Sequence, residues 1–155
     1  MKRFNLYGDE WDDEQEREEY RWRAQMIGPV IGASLVGATV YELPPGEKSF
    51  PYHYEYGNEE WLLVVAGRPT LRTPEGEQEL EPGDVVCFPE GPRGAHQVQN
   101  RTEEPARIVF LSTKRTPAVA VYPDSDKLGI WPGAGDATDR ILVRRDSAVD
   151  YWDGE

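Results

Sequence analysis

The stretch that decides the reading of this chain is Tyr52-His53-Tyr54-Glu55-Tyr56-Gly57-Asn58-Glu59-Glu60-Trp61-Leu62-Leu63-Val64-Val65-Ala66-Gly67. His53 and Glu55 stand two apart in a segment bounded by Pro51 and Gly57-Asn58. In a β-strand, residues i and i+2 share a face, so this imidazole and carboxylate can converge on one point. Gly57-Asn58 is a turn signal, and the run from Glu60 to Ala66 is rich in β-formers. A hairpin there would return Glu60, or Glu59, to the first two side chains. Alternation assigns Glu60, Leu62 and Val64 to one face of that strand and Trp61, Leu63 and Val65 to the other. If Glu60 points inward, Leu62 and Val64 line the interior.

The chain has only two histidines. The second ends a matching block: Pro82-Gly83-Asp84, Phe88-Pro89-Glu90-Gly91, then Gly94-Ala95-His96 and Asn100. His96 is placed to supply a further ligand from across a barrel. Two imidazoles and two carboxylates suit Mn²⁺, Fe²⁺, Zn²⁺, Ni²⁺ or Co²⁺, and the second carboxylate tilts the preference toward Mn²⁺, Fe²⁺ or Zn²⁺.

Working outward, 15 glycines and 13 prolines among 155 residues suit many short strands joined by turns. Residues 1–21 form an acidic arm with eight carboxylates from Asp9 to Glu19, read as a solvated helix or loop packed by Trp11, Tyr20 and Trp22. Residues 22–155 form a single β-barrel domain with a C-terminal extension. Two or three strands are expected between Trp22 and Leu43, with the apolar run Met26 to Val40 as buried strand material. Further strands are expected near 50–55, 60–66, 69–73, 107–112, 118–122 and 140–144, and a hairpin turn at Pro74-Glu75-Gly76-Glu77.

Lys+Arg is 17 and Asp+Glu is 29, so the net charge is 17 − 29 = −12. That balance argues against nucleic acid or an anionic membrane surface as a partner. The single cysteine, Cys87, permits no internal disulfide and is expected to be a small buried residue. The apolar run from Met26 is too short and too broken by Gly and Pro to span a membrane. A cytoplasmic protein is the expectation.

The two blocks resemble the two motifs of the cupin superfamily over about Tyr41 to Thr113. Glu60 takes the glutamate position, followed seven residues later by Gly67. Gly83, Pro89, Gly91, His96 and Asn100 match the second motif, with two extra residues between Gly91 and His96. One departure stands out: Glu55 occupies the place of the second histidine in the first motif. The chain is also similar to small bacterial cupins of unassigned function with this Tyr-His-Tyr-Glu form and a Tyr-Pro-Asp-Ser-x-Lys segment, here Tyr122 to Lys127. The resemblance implies an all-β double-stranded β-helix, a small jelly-roll barrel. It also implies a metal set of His53, Glu55, Glu60 and His96 holding one divalent ion per chain.

Tyr41, Leu62, Val64 and Phe88 are candidates for the pocket wall. Arg72 or Lys127 is placed to bind an anionic ligand, although Tyr122 to Lys127 reads equally well as a surface turn. Two functional classes remain open. One is a metal-dependent enzyme on a small molecule, of isomerase, lyase or oxygenase type. The other is a non-catalytic metabolite-binding or sensing barrel, with or without metal. A homodimer is expected from what similar cupins do and from strand edges that a short barrel leaves to cover.

Overall fold

The computed structural model describes residues 1–133 and 139–155. Thirteen short strands carry nearly all its regular structure. In chain order they are β1 (Asp13–Gln15), β2 (Trp22–Met26), β3 (Val36–Leu43), β4 (Tyr54–Tyr56), β5 (Glu60–Ala66), β6 (Thr70–Thr73) and β7 (Gly76–Glu79). They continue as β8 (Val85–Phe88), β9 (Gln97–Gln99), β10 (Ala106–Thr113), β11 (Ala118–Tyr122), β12 (Lys127–Trp131) and β13 (Ile141–Arg144). One helical turn, α1 (Ile27–Ile31), joins β2 to β3. No helix among the described residues is long and apolar enough to cross a membrane.

The strands form three sheets: β1-β2-β3-β10-β5-β8, β13-β12-β11-β4 and β7-β6-β9. The first faces the other two, and the last two are stitched together by an isolated antiparallel bridge, His53 to His96. The faces turned inward carry the main core. Leu43, Leu62, Val64, Leu71, Leu80, Val98 and Ile108 pack there, each buried, with Phe88 and Phe110. Asn100 is fully buried. Its amide donates to the carbonyls of Leu43 and Glu104, pinning the end of β3 to the loop that leads into β10.

Several expectations are corrected. The arm is mostly exposed loop packed through Trp11, and it adds one short strand: β1 pairs with β2, while Phe4 and Leu6 join Trp11 on a second cluster around Ile27, Val40 and Val109. The run from Met26 to Val40 is not continuous buried strand. Gly28-Pro29 and Gly32 break it into α1 and a loop, and Met26, Val30, Ile31, Leu35 and Val36 are exposed. Cys87 is exposed, because Val86 and Phe88 take the inward positions of β8 and its odd-numbered residues face out. The strand expected near 50–55 is a run of bends through residue 52, with only the short β4 at its end. The Pro74 to Glu77 turn does close a hairpin, β6 on β7, and a strand forms in each expected place from 60 onward.

Candidate metal centre

The geometry starts from the bridge between the two histidines. His96 N–H donates to the His53 carbonyl at 2.8 Å and His53 N–H donates back to His96 at 3.2 Å. Residues that exchange both bonds in an antiparallel pair stand directly opposite with side chains on one face. His96 therefore lies beside His53, not across the barrel from it, and the two rings have centroids 4.8 Å apart.

Glu60 is the residue that comes from across. Gly57-Asn58 does not close a hairpin: β4 pairs with β11, whereas β5 pairs with β10 and β8 in the facing sheet. The turn thus carries the chain from one sheet to the other. It delivers a Glu60 carboxylate oxygen to 3.7 Å from His53 Nε2 and 3.6 Å from His96 Nε2. One ligand atom from each of His53, Glu60 and His96 falls within 4.8 Å of the others.

Both imidazoles are prepared as ligands. His53 Nδ1–H donates to the Pro51 carbonyl at 2.9 Å and His96 Nδ1–H to the Gly94 carbonyl at 2.8 Å. A carbonyl only accepts, so Nδ1 carries the proton and the Nε2 lone pair faces Glu60. The His96 Nε2 atom is buried and has no hydrogen-bond partner, a cost that a cation between the three groups removes. Phe88 stacks flat on His96, with centroids 3.7 Å apart and planes 5° from parallel. Tyr122 stacks on His53 at 5.8 Å.

The two extra residues of the second block serve this arrangement. Pro92–Gly94 forms a 3₁₀ turn that presents the Gly94 carbonyl to His96. A Cβ on Gly94 would stand 1.9 Å from the Pro89 carbonyl oxygen, so only glycine fits the fold-back.

The electrostatics follow from burial. Desolvation, with help from neighbouring His53, lowers the His96 imidazole to about 3, and desolvation also lowers His53. Desolvation and the nearby Glu55 charge push the Glu60 carboxyl up to about 8. At neutral pH two neutral imidazoles face a largely protonated acid, so these contacts are not ion pairs. A divalent cation reverses that balance. Its bonds of about 2.0–2.2 Å would set adjacent ligand atoms roughly 3–3.5 Å apart, close to the 3.7 and 3.6 Å from Glu60 to His53 and His96. Neutral imidazole nitrogens with one carboxylate oxygen suit a divalent transition-metal ion.

Glu55 stands outside the group of three but near enough for its charge to act on Glu60. It lies on β4 opposite Ala120, which in turn pairs with Gly129, so small residues flank it. Burial raises its own pKa, against a hydrogen bond from Asn58.

The expected pocket residues divide. Tyr41 joins Trp22, Phe50 and Phe110 in an aromatic wall, where burial pushes its hydroxyl up to about 12. Phe88 covers His96. Leu62 and Val64 are packed into the core at 0% and 1% exposure. Arg72 is held by both Asp124 carboxylate oxygens, at 2.6 and 2.9 Å, and lies 3.9 Å over the Tyr52 ring. Lys127 lies 5.2 Å over the Tyr122 ring and lines a cleft of about 400 Å³ beneath the acidic arm. Tyr122 itself, in direct contact with His53, was visible in the sequence only as part of its Pro-Asp-Ser turn.

Comparison with known proteins agrees with this architecture. A family model described as a cupin domain matches residues 39–112. A solved structure from Silicibacter pomeroyi, described as a sugar phosphate isomerase of the cupin superfamily, is 30% identical. It superposes with a TM-score of 0.74 over 85% of this chain and 82% of that one. A putative sugar phosphate isomerase from Acidithiobacillus ferrooxidans, 23% identical, shares the fold at a TM-score of 0.76, over 85% of this chain and 81% of that one. The tetracenomycin polyketide synthase protein TcmJ of Streptomyces glaucescens is 34% identical over 95 residues, 61% of this chain. That match spans 62% of TcmJ's own length. The chain belongs to the cupin superfamily. Within it, the His-His-Glu group defines a barrel that could hold a metal ion.

Proposed function

We propose that this cupin is a divalent-metal-dependent enzyme that moves a proton on a small organic anion in the barrel mouth, an isomerase-type reaction. The observation that carries the reading is the convergence of His53 Nε2, His96 Nε2 and a Glu60 oxygen within 4.8 Å. Backbone carbonyls fix both imidazoles in the ligating tautomer. A cation held there would polarise a substrate carbonyl. Glu55, beside the three, has a carboxyl raised by burial, as suits a group that takes a proton from carbon and returns it. In this reading the substrate is an α-hydroxy carbonyl: a proton passes from the hydroxyl-bearing carbon to a Glu55 carboxylate oxygen and is returned to the neighbouring carbonyl carbon, while the hydroxyl proton moves to the former carbonyl oxygen. Substrate and product are then isomers, and no co-reactant is consumed.

The name of the Silicibacter pomeroyi relative supports an isomerase. The alternative role for Glu55, as fourth ligand, separates cleanly by experiment. Glu55→Gln would weaken metal binding if Glu55 is a ligand, and would lower turnover with metal retained if it is the base.

The direct test is elemental analysis of protein purified without chelators, followed by calorimetric titration with Mn²⁺ and Zn²⁺. About one ion per chain is expected; the absence of both metal content and metal binding would end the reading. If His96→Ala lost the metal yet kept its affinity for a bound small molecule, the barrel would be a binding module and not an enzyme.

A homodimer belongs to the same proposal. Leu35, Val36, Trp61 and Val85 are exposed on or beside the outer face of the six-stranded sheet, an apolar surface that suits a second copy. Light scattering at twice the chain mass is expected.

A further inference from the structure

The sequence offers Arg72 and Lys127 for an anionic ligand, but Arg72 is already tied to Asp124. The structure supplies a different pair of cations. An open cleft of about 480 Å³ lies between the end of β10, the β4–β5 turn and the end of β12. Glu55 stands at its inner wall, and Ser112, Lys114, Arg115 and Trp131 line the rest.

The strand register explains how Lys114 enters the mouth. Glu60, Ser112 and Gly37 are register partners across β5, β10 and β3, so they share the inward face. The ladder runs one residue past β10, since Lys114 N–H donates to the Leu35 carbonyl at 3.1 Å. Alternation then puts Lys114 on the same face as Ser112 and Glu60. Gly37 has no side chain to obstruct it, and the Lys114 stem lies 3.7 Å from where a Gly37 Cβ would be. Lys114 has no ion-pair partner among the described residues. Arg115 is placed by its backbone N–H, which donates to Asn58 Oδ1 at 2.9 Å. Among the described residues its guanidinium meets only Glu90, at 3.7 Å with 73% of the Arg115 side chain exposed, a contact that an incoming anion can displace at little cost.

Trp131 supplies the opposite wall. Its ring folds back over Gly129, where a Cβ would come within 2.6 Å of it. Only glycine allows that fold, and it turns an aromatic surface toward the space beside Glu55.

We propose that this cleft binds a phosphate monoester. Lys114 and Arg115 would take the phosphate, Trp131 would carry the carbon skeleton, and the reacting end would point to Glu55. Two adjacent cations match the charge of about −1.5 to −2 on a phosphate monoester. In a chain of net charge −12, such a positive mouth also gives an anion a local path inward. The proposal rests on the reading of the barrel as an enzyme for small anions and names the residues that would choose among them.

The test is calorimetric titration of inorganic phosphate into full-length protein loaded with Mn²⁺, with metal content measured in parallel. Lys114→Gln/Arg115→Gln should weaken phosphate binding at least tenfold with metal content unchanged, and Lys114→Arg should retain most of the affinity. Equal affinity in wild type and the double variant, or no phosphate binding by wild type at millimolar concentration, would overturn it. So would a loss in Lys114→Arg as large as in Lys114→Gln. If wild type holds no metal but still binds phosphate through Lys114, the anion site stands and the metal reading falls.

Discussion

The two ends of the barrel interior are built by the same strands and differ in almost everything else. At the closed end, Leu43, Leu62, Leu71, Val98 and Ile108 have no exposed surface and no polar atom to satisfy. At the mouth, Glu60, Ser112 and Gly37 share one inward row of β5, β10 and β3. Burial that stabilises the first group by roughly 1.5–3 kcal/mol per side chain works against the second. There it forces Glu60 up and His96 down. The closed end holds the fold; the mouth is held in place by it, in protonation states that a cation would correct.

The largest expected effect lies at the mouth. His96→Ala should lower metal affinity by roughly 100- to 1,000-fold, since structural zinc sites gain roughly 10–16 kcal/mol from four ligands together. Metal titration of the variant checks it, with circular dichroism to show that the fold survives. Next comes the closed end. Leu62→Ala should cost about 3 kcal/mol, a fall of roughly 6–12 °C in melting temperature for a chain of this size. Metal stoichiometry should stay unchanged in the folded variant. A Leu62→Ala protein that is fully stable but metal-free would reverse the comparison.

A smaller effect is pH dependence. Glu60 titrates near 8 in the metal-free fold, above its free value, so the folded chain binds the extra proton between about 4.5 and 8 and loses stability as pH rises through that window. His96, lowered to about 3, acts oppositely: its contribution is present above about 6.5 and is lost as pH falls toward 3. Metal-free protein should therefore melt highest between roughly pH 4.5 and 6.5. Mn²⁺ should raise the melting temperature more at pH 8 than at pH 6, because binding must displace the Glu60 proton. Equal metal stabilisation at both values would show that Glu60 does not bind the ion as a carboxylate. The smallest effect belongs to the outer surface. Cys87→Ser should change stability by no more than about 0.5 kcal/mol, because the side chain is exposed.

Local pattern made much of this legible. The inward set of β5 is a period-two reading of Glu60, Leu62 and Val64, and it holds because alternation is a property of the strand itself. The two motif blocks picked out both histidines and Glu60 from residue type and spacing. The same reasoning failed where partners decide. Cys87 looks like a core residue until Val86 and Phe88 claim the inward positions. Arg72 looks like an anion site until Asp124, 52 residues away, takes its guanidinium. Lys114 drew no attention, since nothing in Ser112 to Arg115 says that Gly37 will lie beneath it.

The sequence by itself determined an all-β cupin chain, the donor types of its centre and the residues that alternate toward a common interior. Only the tertiary structure decided that His96 lies beside His53, that Glu60 reaches them from the facing sheet, and that Glu55 stands apart from the three. The reason is physical: side-chain direction along a strand is fixed locally, whereas sheet membership and register are set by pairing between distant segments.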